Sequence, residues 1–216
     1  MESSNSEPSG VRLVVATTNL DKLSEIRLIL SGLGLEVAAL QEYPGIAEPV
    51  EHGATFAENA RAKALYYAEA TGEMVVAEDS GLEVDALDGA PGVHSARYGG
   101  PSAPTYPDKF NLIYAGLRSR GATTSPARFV CALALARARR ILFETRGSVG
   151  GTIAPEPRGE GGFGYDPIFY YPPFGHTLAE VSADQKAAVS HRGQAFRRLR
   201  HYLEERASPV NEVERS

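Results

Sequence analysis

Ala127-Arg128-Phe129-Val130-Cys131-Ala132-Leu133-Ala134-Leu135-Ala136-Arg137, then Ala138-Arg139, then Arg140-Ile141-Leu142-Phe143-Glu144-Thr145-Arg146-Gly147-Ser148-Val149: two long strand-like runs are joined by a link too short for anything but an antiparallel hairpin. Upstream the pattern changes. Residues 12–16 form a short β-branched run suited to a buried strand, and 21–33 follow with Leu23, Ile26 and Leu30 on one helical face. Residues 35–40 predict a second strand, a Pro- and Gly-containing loop covers 42–53, and a helix runs over 55–70 with Gly72 placed to end it. A third strand at 74–77 is expected to stop at Glu78-Asp79-Ser80-Gly81, with a further short strand at 82–86. After a Gly- and Pro-dense loop (88–100), a helix (107–120) leads into the hairpin. A loop (155–164), a strand (167–171) and one helix (187–206) complete the chain. Strands that are parallel early and hairpin-paired late predict an α/β fold, a long mixed β-sheet flanked by helices whose halves splay into two lobes around a central cleft.

At 216 residues, 43% apolar and 23% charged, the chain is expected to form a single two-lobed domain over 11–206. Polar tails at 1–10 and 207–216 are expected to be disordered. No apolar run approaches the roughly 20 residues that cross a bilayer, which predicts no membrane role. A net charge of −5 and a pI near 5.6 oppose a nucleic-acid-coating protein, since such proteins carry a basic excess; an anionic small ligand needs only a local cluster of cations. Cys131, the single cysteine, sits in an apolar run and reads as a buried thiol rather than a nucleophile. No disulfide can form within the chain, no secretory leader is recognisable, and a cytoplasmic location is expected.

Several segments carry polar chemistry. Thr17-Thr18-Asn19-Leu20-Asp21-Lys22 lies where a strand gives way to a helix, a place that suits either plain capping or phosphate binding. Glu78 and Asp79 are adjacent acids whose crowding calls for water, a cation or a metal, and Mg²⁺ is the hard ion that takes one or two carboxylates plus phosphate oxygens. A solvated strand end is the competing reading. Glu51 or Glu48, in the preceding loop, are candidates to complete such a site. On the next helix Glu58 and Asn59 fit a solvated face, with Lys63 in range of Glu58. Gly162-Phe163-Gly164-Tyr165-Asp166-Pro167 offers backbone freedom, two aromatic faces and a carboxylate able to accept from a base edge. Lys186, His191 and Arg192 add proton-bearing groups further on. A flat heterocycle at one end and phosphates at the other is the ligand these residues suit.

Four motifs in order resemble the inosine triphosphate pyrophosphatase family, house-cleaning nucleoside triphosphate pyrophosphohydrolases also called the Ham1 or RdgB family. They are Ala16-Thr17-Thr18-Asn19 with Lys22; Thr55-Phe56-Ala57-Glu58-Asn59-Ala60 with Lys63; Glu78-Asp79-Ser80-Gly81-Leu82 leading to Gly89-Ala90-Pro91-Gly92-Val93-His94-Ser95-Ala96-Arg97-Tyr98; and 161–167 with Lys186 and Ser190-His191-Arg192. The resemblance implies Mg²⁺-dependent hydrolysis of deaminated purine nucleoside triphosphates (ITP, dITP, XTP) to monophosphate and pyrophosphate by a homodimer. It implies that residues 17–22 (Thr17, Thr18, Asn19, Leu20, Asp21, Lys22) hold phosphates, that Asp79 binds metal and activates water, and that Ser80 touches substrate. Phe163, Gly164, Tyr165 and Asp166 would surround the base, Lys186, His191 and Arg192 would finish the pocket, and Lys63 and Arg97 would be accessory cations. Glu51 is the first choice for a second metal contact. The usual bacterial pattern has two aspartates where this chain has Glu78-Asp79. A nucleotide sensor that binds without hydrolysis is the alternative, against which the acid pair speaks. An RNA-binding role is opposed by the net acidity.

Overall fold

The computed structural model describes residues 11–207. The tail expected at 1–10 and all but the first residue of that expected at 207–216 lie outside the described residues; residue 207 itself ends a helix. The strands are β1 (Arg12–Val15), β2 (Glu36–Ala39), β3 (Met74–Val84), β4 (Pro126–Arg137), β5 (Arg140–Ile153), β6 (Phe169–Tyr171) and β7 (His176–Thr177). The α-helices are α1 (Leu20–Leu30), α2 (Phe56–Thr71), α3 (Tyr106–Ser119), α4 (Ala183–Val189) and α5 (His191–Ala207). One seven-stranded sheet has the order β2-β1-β3-β4-β5-β6-β7. Strand β1 pairs in parallel with β2 and β3, and every later pairing is antiparallel. This is the mixed α/β sheet the sequence predicts, and its hairpin turns on a two-residue link with Ala138 at φ 51°, the backbone twist that tight hairpins need.

Two elements depart from expectation. Strand β3 does not stop at residue 77. It runs through Glu78-Asp79-Ser80-Gly81 because β4 pairs with it without interruption from Met74↔Arg137 to Val84↔Ala127, and a long neighbour outweighs a local Ser-Gly breaker. The C-terminal helix is broken in two. Ser182 caps the Gln185 N–H and starts α4 early, while Ser190 leaves helical geometry (ψ 148°) and accepts from the Gly193 N–H at 2.9 Å to open α5.

Three apolar clusters explain the two lobes. On one face of the sheet Val75, Ala77, Ala132 and Ala134 meet Ala60, Ala64 and Tyr67 of α2. On the other, Val76, Leu133 and Leu135 meet Leu23 and Ile26 of α1 and Phe196 and Leu199 of α5. Beyond them Leu82, Val84, Phe129 and Val149 pack with Phe110, Ile113 and Leu117 of α3 and with Phe169. Strands β3 to β5 run through both lobes. Strand β1 does not: it pairs with β3 only as far as Val76, and the Leu82 and Val84 N–H groups are taken instead by Ser95 Oγ and the Ala90 carbonyl. Between these two coverings, at residues 78–81, the sheet is notched.

Helix α5 reaches this notch by pressing its first turn onto β5. A Cβ at Gly147 would overlap the His191 carbonyl, so only glycine permits the approach. We predict that Gly147→Ala destabilises the fold by roughly 1–3 kcal/mol through overpacking. Gly150→Ala on the same strand, where a Cβ meets nothing within 4 Å, leaves the thermal midpoint within a degree or two; matched melts of the two variants check this.

Candidate active site

The notch opens into a cavity of about 390 Å³. Because successive residues of a strand face opposite sides, the adjacent acids of β3 serve different neighbours. Glu78 lies on the α1/α5 face and Asp79 on the α2 face. Neither is a solvated strand end: Glu78 is 5% and Asp79 8% exposed.

On the first face Glu78 Oε1 holds Lys22 Nζ at 2.7 Å and Arg192 Nε at 3.3 Å. Burial pushes the Glu78 carboxyl up, but the Arg192 guanidinium and Lys22 ammonium overcome it and hold the group well below the carboxylate range. Ser80 Oγ accepts from Lys22 at 3.4 Å and from Arg192 Nη2 at 3.3 Å. Glu25 adds a second carboxylate, 2.9 Å from Arg192 Nη1 and 3.7 Å from Lys186 Nζ. Glu25 is absent from the motifs, although its i+3 spacing from Lys22 puts both on one helical face.

On the second face Asn59 Nδ2 donates to Asp79 Oδ2 at 2.9 Å, and its own Oδ1 accepts from the Gly53 N–H at 2.8 Å. Asn59 is therefore a buried clamp, not part of a solvated helix face. Lys63 does not pair with Glu58, which instead accepts from the Ala54 N–H; it reaches Glu51 Oε1 at 2.6 Å and lies 3.8 Å from Asp79 Oδ1. Arg97 Nη1 reaches the other Glu51 oxygen at 3.2 Å. Burial raises the Asp79 carboxyl above 3.8, and Lys63 and Asn59 recover only part of that cost.

Among the described residues no group of three or more His, Cys, Asp or Glu gathers as a metal cage. The donor set still suits Mg²⁺, which takes one or two carboxylates and completes its shell with water and phosphate oxygens. Asp79 and Glu51 converge on one ammonium, that of Lys63, so a positive charge is already held between them. Glu78 faces the other side of the sheet and is already paired with Lys22 and Arg192. Glu48 lines the same cavity.

At the other end Asp166 Oδ2 accepts from the Phe163 N–H and from Lys186 Nζ, both at 2.7 Å. That oxygen is committed to shaping the loop rather than free for a base edge, and a Cβ at Gly162 would overlap it. Phe163 presents its ring to the cations, 4.1 Å from Lys186 Nζ and 5.2 Å from the Arg192 guanidinium carbon. Tyr165 lines the cavity while anchored in the core: its hydroxyl donates to the Ser95 carbonyl at 2.8 Å, and its ring meets Tyr106 edge-on at 5.3 Å. His191 stacks on Phe129 at 4.9 Å, and its buried Nδ1 finds no hydrogen-bond partner among the described residues.

At the first turn, Asn19 Oδ1 accepts from the N–H groups of Asp21 and Lys22, and Thr17 Oγ1 from that of Asn19. Capping is therefore realised. Thr17, Thr18, Asn19 and Lys22 also line the cavity, as do Lys63, Ser80, Arg97, Gly164 and Lys186. Leu20 and Asp21 do not; Leu20 is 67% exposed, because the helix turns both outward.

Fold and site together define an α/β protein with a cation-rich cleft beside its central strands, the kind of cleft that takes an anionic small molecule. The chain belongs to the Ham1 family, whose profile matches residues 13–202. It is 49% identical over 189 residues to the dITP/XTP pyrophosphatase of Exiguobacterium sp. (strain ATCC BAA-1283 / AT1b), covering 88% of this chain and 95% of that protein. Among solved structures, a HAM1 protein from Coxiella burnetii superposes with a TM-score of 0.84 at 38% identity, covering 90% of this chain and 99% of that one. The Staphylococcus aureus Ham1 protein superposes at 0.81 and 35%, with the same coverage. No helix among the described residues is long and apolar enough to cross a membrane.

His191 supplies a pH test. Burial, then the Arg192 charge, hold its imidazole well below 6.5, so below about 6.5 the unfolded chain binds the proton the fold refuses. Stability is then lost as pH falls from 6.5 toward the folded value and is flat above. We predict that His191→Gln removes part of the drop in thermal midpoint between pH 7.5 and 5.5, read by paired melts; an unchanged drop would mean that His191 is not its source.

Proposed function

We propose that this chain hydrolyses deaminated purine nucleoside triphosphates (ITP, dITP and XTP) to the monophosphate and pyrophosphate, and so keeps such bases out of DNA and RNA. The observation that carries the reading is the split of Glu78 and Asp79 across the sheet. It gives one cleft a pre-paired cation group on one side and an under-compensated, oriented carboxylate on the other. Family membership and the names of the relatives support the substrate class.

In this reading Lys22, with Thr17, Thr18 and Asn19 beside it, receives the phosphates, and Lys63 and Arg97 add charge from the α2 side. Asp79, oriented by Asn59, accepts the proton of a water whose oxygen attacks the α-phosphorus. The α–β phosphoanhydride bond breaks, and pyrophosphate leaves against the cations. Asp79 and Glu51 would hold Mg²⁺, and the chemistry a bound magnesium supplies is neutralisation of phosphate charge. Phe163, Gly164, Asp166, Lys186, His191 and Arg192 surround the purine, with Tyr165 anchoring their loop from the core. His191 Nδ1, buried without a hydrogen-bond partner among the described residues, would, when it carries the ring proton, match a 6-oxo group and be left unpaired against a 6-amino group. The working form proposed is a cytoplasmic homodimer, built from one two-lobed domain per chain.

A pyrophosphate-release assay across ITP, XTP, dGTP and ATP, with and without Mg²⁺, tests the reading. The expected result is Mg²⁺-dependent release with kcat/KM for ITP exceeding that for ATP by at least about a hundredfold. A ratio near one removes the specificity, and binding without release leaves a nucleotide sensor. Asp79→Asn is expected to lower kcat by roughly a thousandfold while calorimetry still detects ITP binding; wild-type-like turnover would take Asp79 out of the reaction.

A further inference from the structure

Glu78 raises a problem of satisfaction that the cations do not solve. Its carboxylate is enclosed, and a buried carboxylate is costly unless both oxygens are matched. Lys22 and Arg192 both bind Oε1. For Oε2 the described residues offer one partner, the thiol of Cys131, with Sγ at 3.2 Å. The geometry is set by the sheet: Cys131 stands opposite Ser80, and Leu133 opposite Glu78, so the thiol is the diagonal neighbour of Glu78 on the same face. The other acceptor near this sulfur, the Ala132 carbonyl, lies at 3.9 Å, a longer contact to a neutral oxygen than the one to the Glu78 carboxylate. Burial and the Glu78 charge push the thiol well above its ordinary pKa, which keeps it an S–H donor.

We propose that Cys131 is a positioning residue: its S–H fixes Oε2 of Glu78, turns Oε1 toward Lys22 and Arg192, and so holds a cation from α1 and a cation from α5 together across the cleft. Without the thiol the carboxylate has a bare oxygen in an apolar wall and rotates to share its cations between both oxygens, loosening both. The proposal rests on the reading that these cations receive a nucleoside triphosphate.

The test compares Cys131→Ala, which removes the donor, with Cys131→Ser, which keeps one. For ITP, the alanine variant is expected to raise KM roughly fivefold with kcat changed less than about twofold, and the serine variant to stay within about twofold of wild type in both. Equal KM in wild type and alanine variant, or equal loss in alanine and serine variants, would overturn the proposal in favour of plain packing. Calorimetry with inorganic tripolyphosphate separates this from failure of the proposed function. If no purine triphosphate is hydrolysed, weakened tripolyphosphate binding in the alanine variant, recovered in the serine variant, still supports Cys131, and undiminished binding in the alanine variant or no binding by wild type overturns it. Should the alanine variant not fold, the S–H stretching band of the full-length protein decides, since the chain has one cysteine. A band lowered by a charged acceptor in wild type and raised in Glu78→Gln supports the bond, and an unshifted wild-type band ends the idea.

Discussion

The structure depends on the pleat of one strand. Glu78 and Asp79 are neighbours in the chain, yet the alternation of a strand sends them to opposite sides of the sheet, where different helices meet them. Lys22 and Arg192 come from α1 and α5; Asn59 and Lys63 come from α2. That separation works only because β4 pairs with β3 past both acids while β1 stops short. If β1 ran on, a strand would fill the notch. If β3 ended at Ala77, the acids would hang from a loop and their directions would be free.

The two sides are also energetically unlike. Arg192 is 2% exposed and is met by Glu78 and Glu25, so its charge is matched within the fold. Buried ion clusters of this kind add little net stability, because desolvation offsets most of the attraction, but removing one member is costly. What the cluster supplies is placement. Asp79 has the opposite condition, with burial exceeding compensation, and a carboxylate in that state welcomes any added positive charge. One strand thus carries, side by side, an acid bound directly by two cations and an acid held mainly by neutral donors, the Asn59 amide and the Ser80 N–H.

Much of this was legible in the residues. The parallel start, the long hairpin and the Thr55 and Gly72 helix boundaries follow from local pattern, and the motif order points to one family. What escaped was non-local. Ser80-Gly81 reads as a breaker until β4 is seen to pair across it. Asn59 reads as helix surface because nothing near it in sequence announces Asp79 twenty residues on. Asp166 and Tyr165 line the cavity, but their engagement by Lys186, the Phe163 N–H and the Ser95 carbonyl has no signature in the local sequence. In each case the partner lies on another element, and pairing across elements is information that periodicity does not contain.

Arg192 opens the last helix, and its contact with Glu25 spans 167 residues of chain. A ribosome therefore adds 167 residues after Glu25 before the guanidinium that completes the cleft exists. The early strand and helix can form, and Lys22 can find Glu78, while the cation cluster is still half built. Competence waits for α5, so a chain released before that helix is made has a cleft that lacks one of its walls.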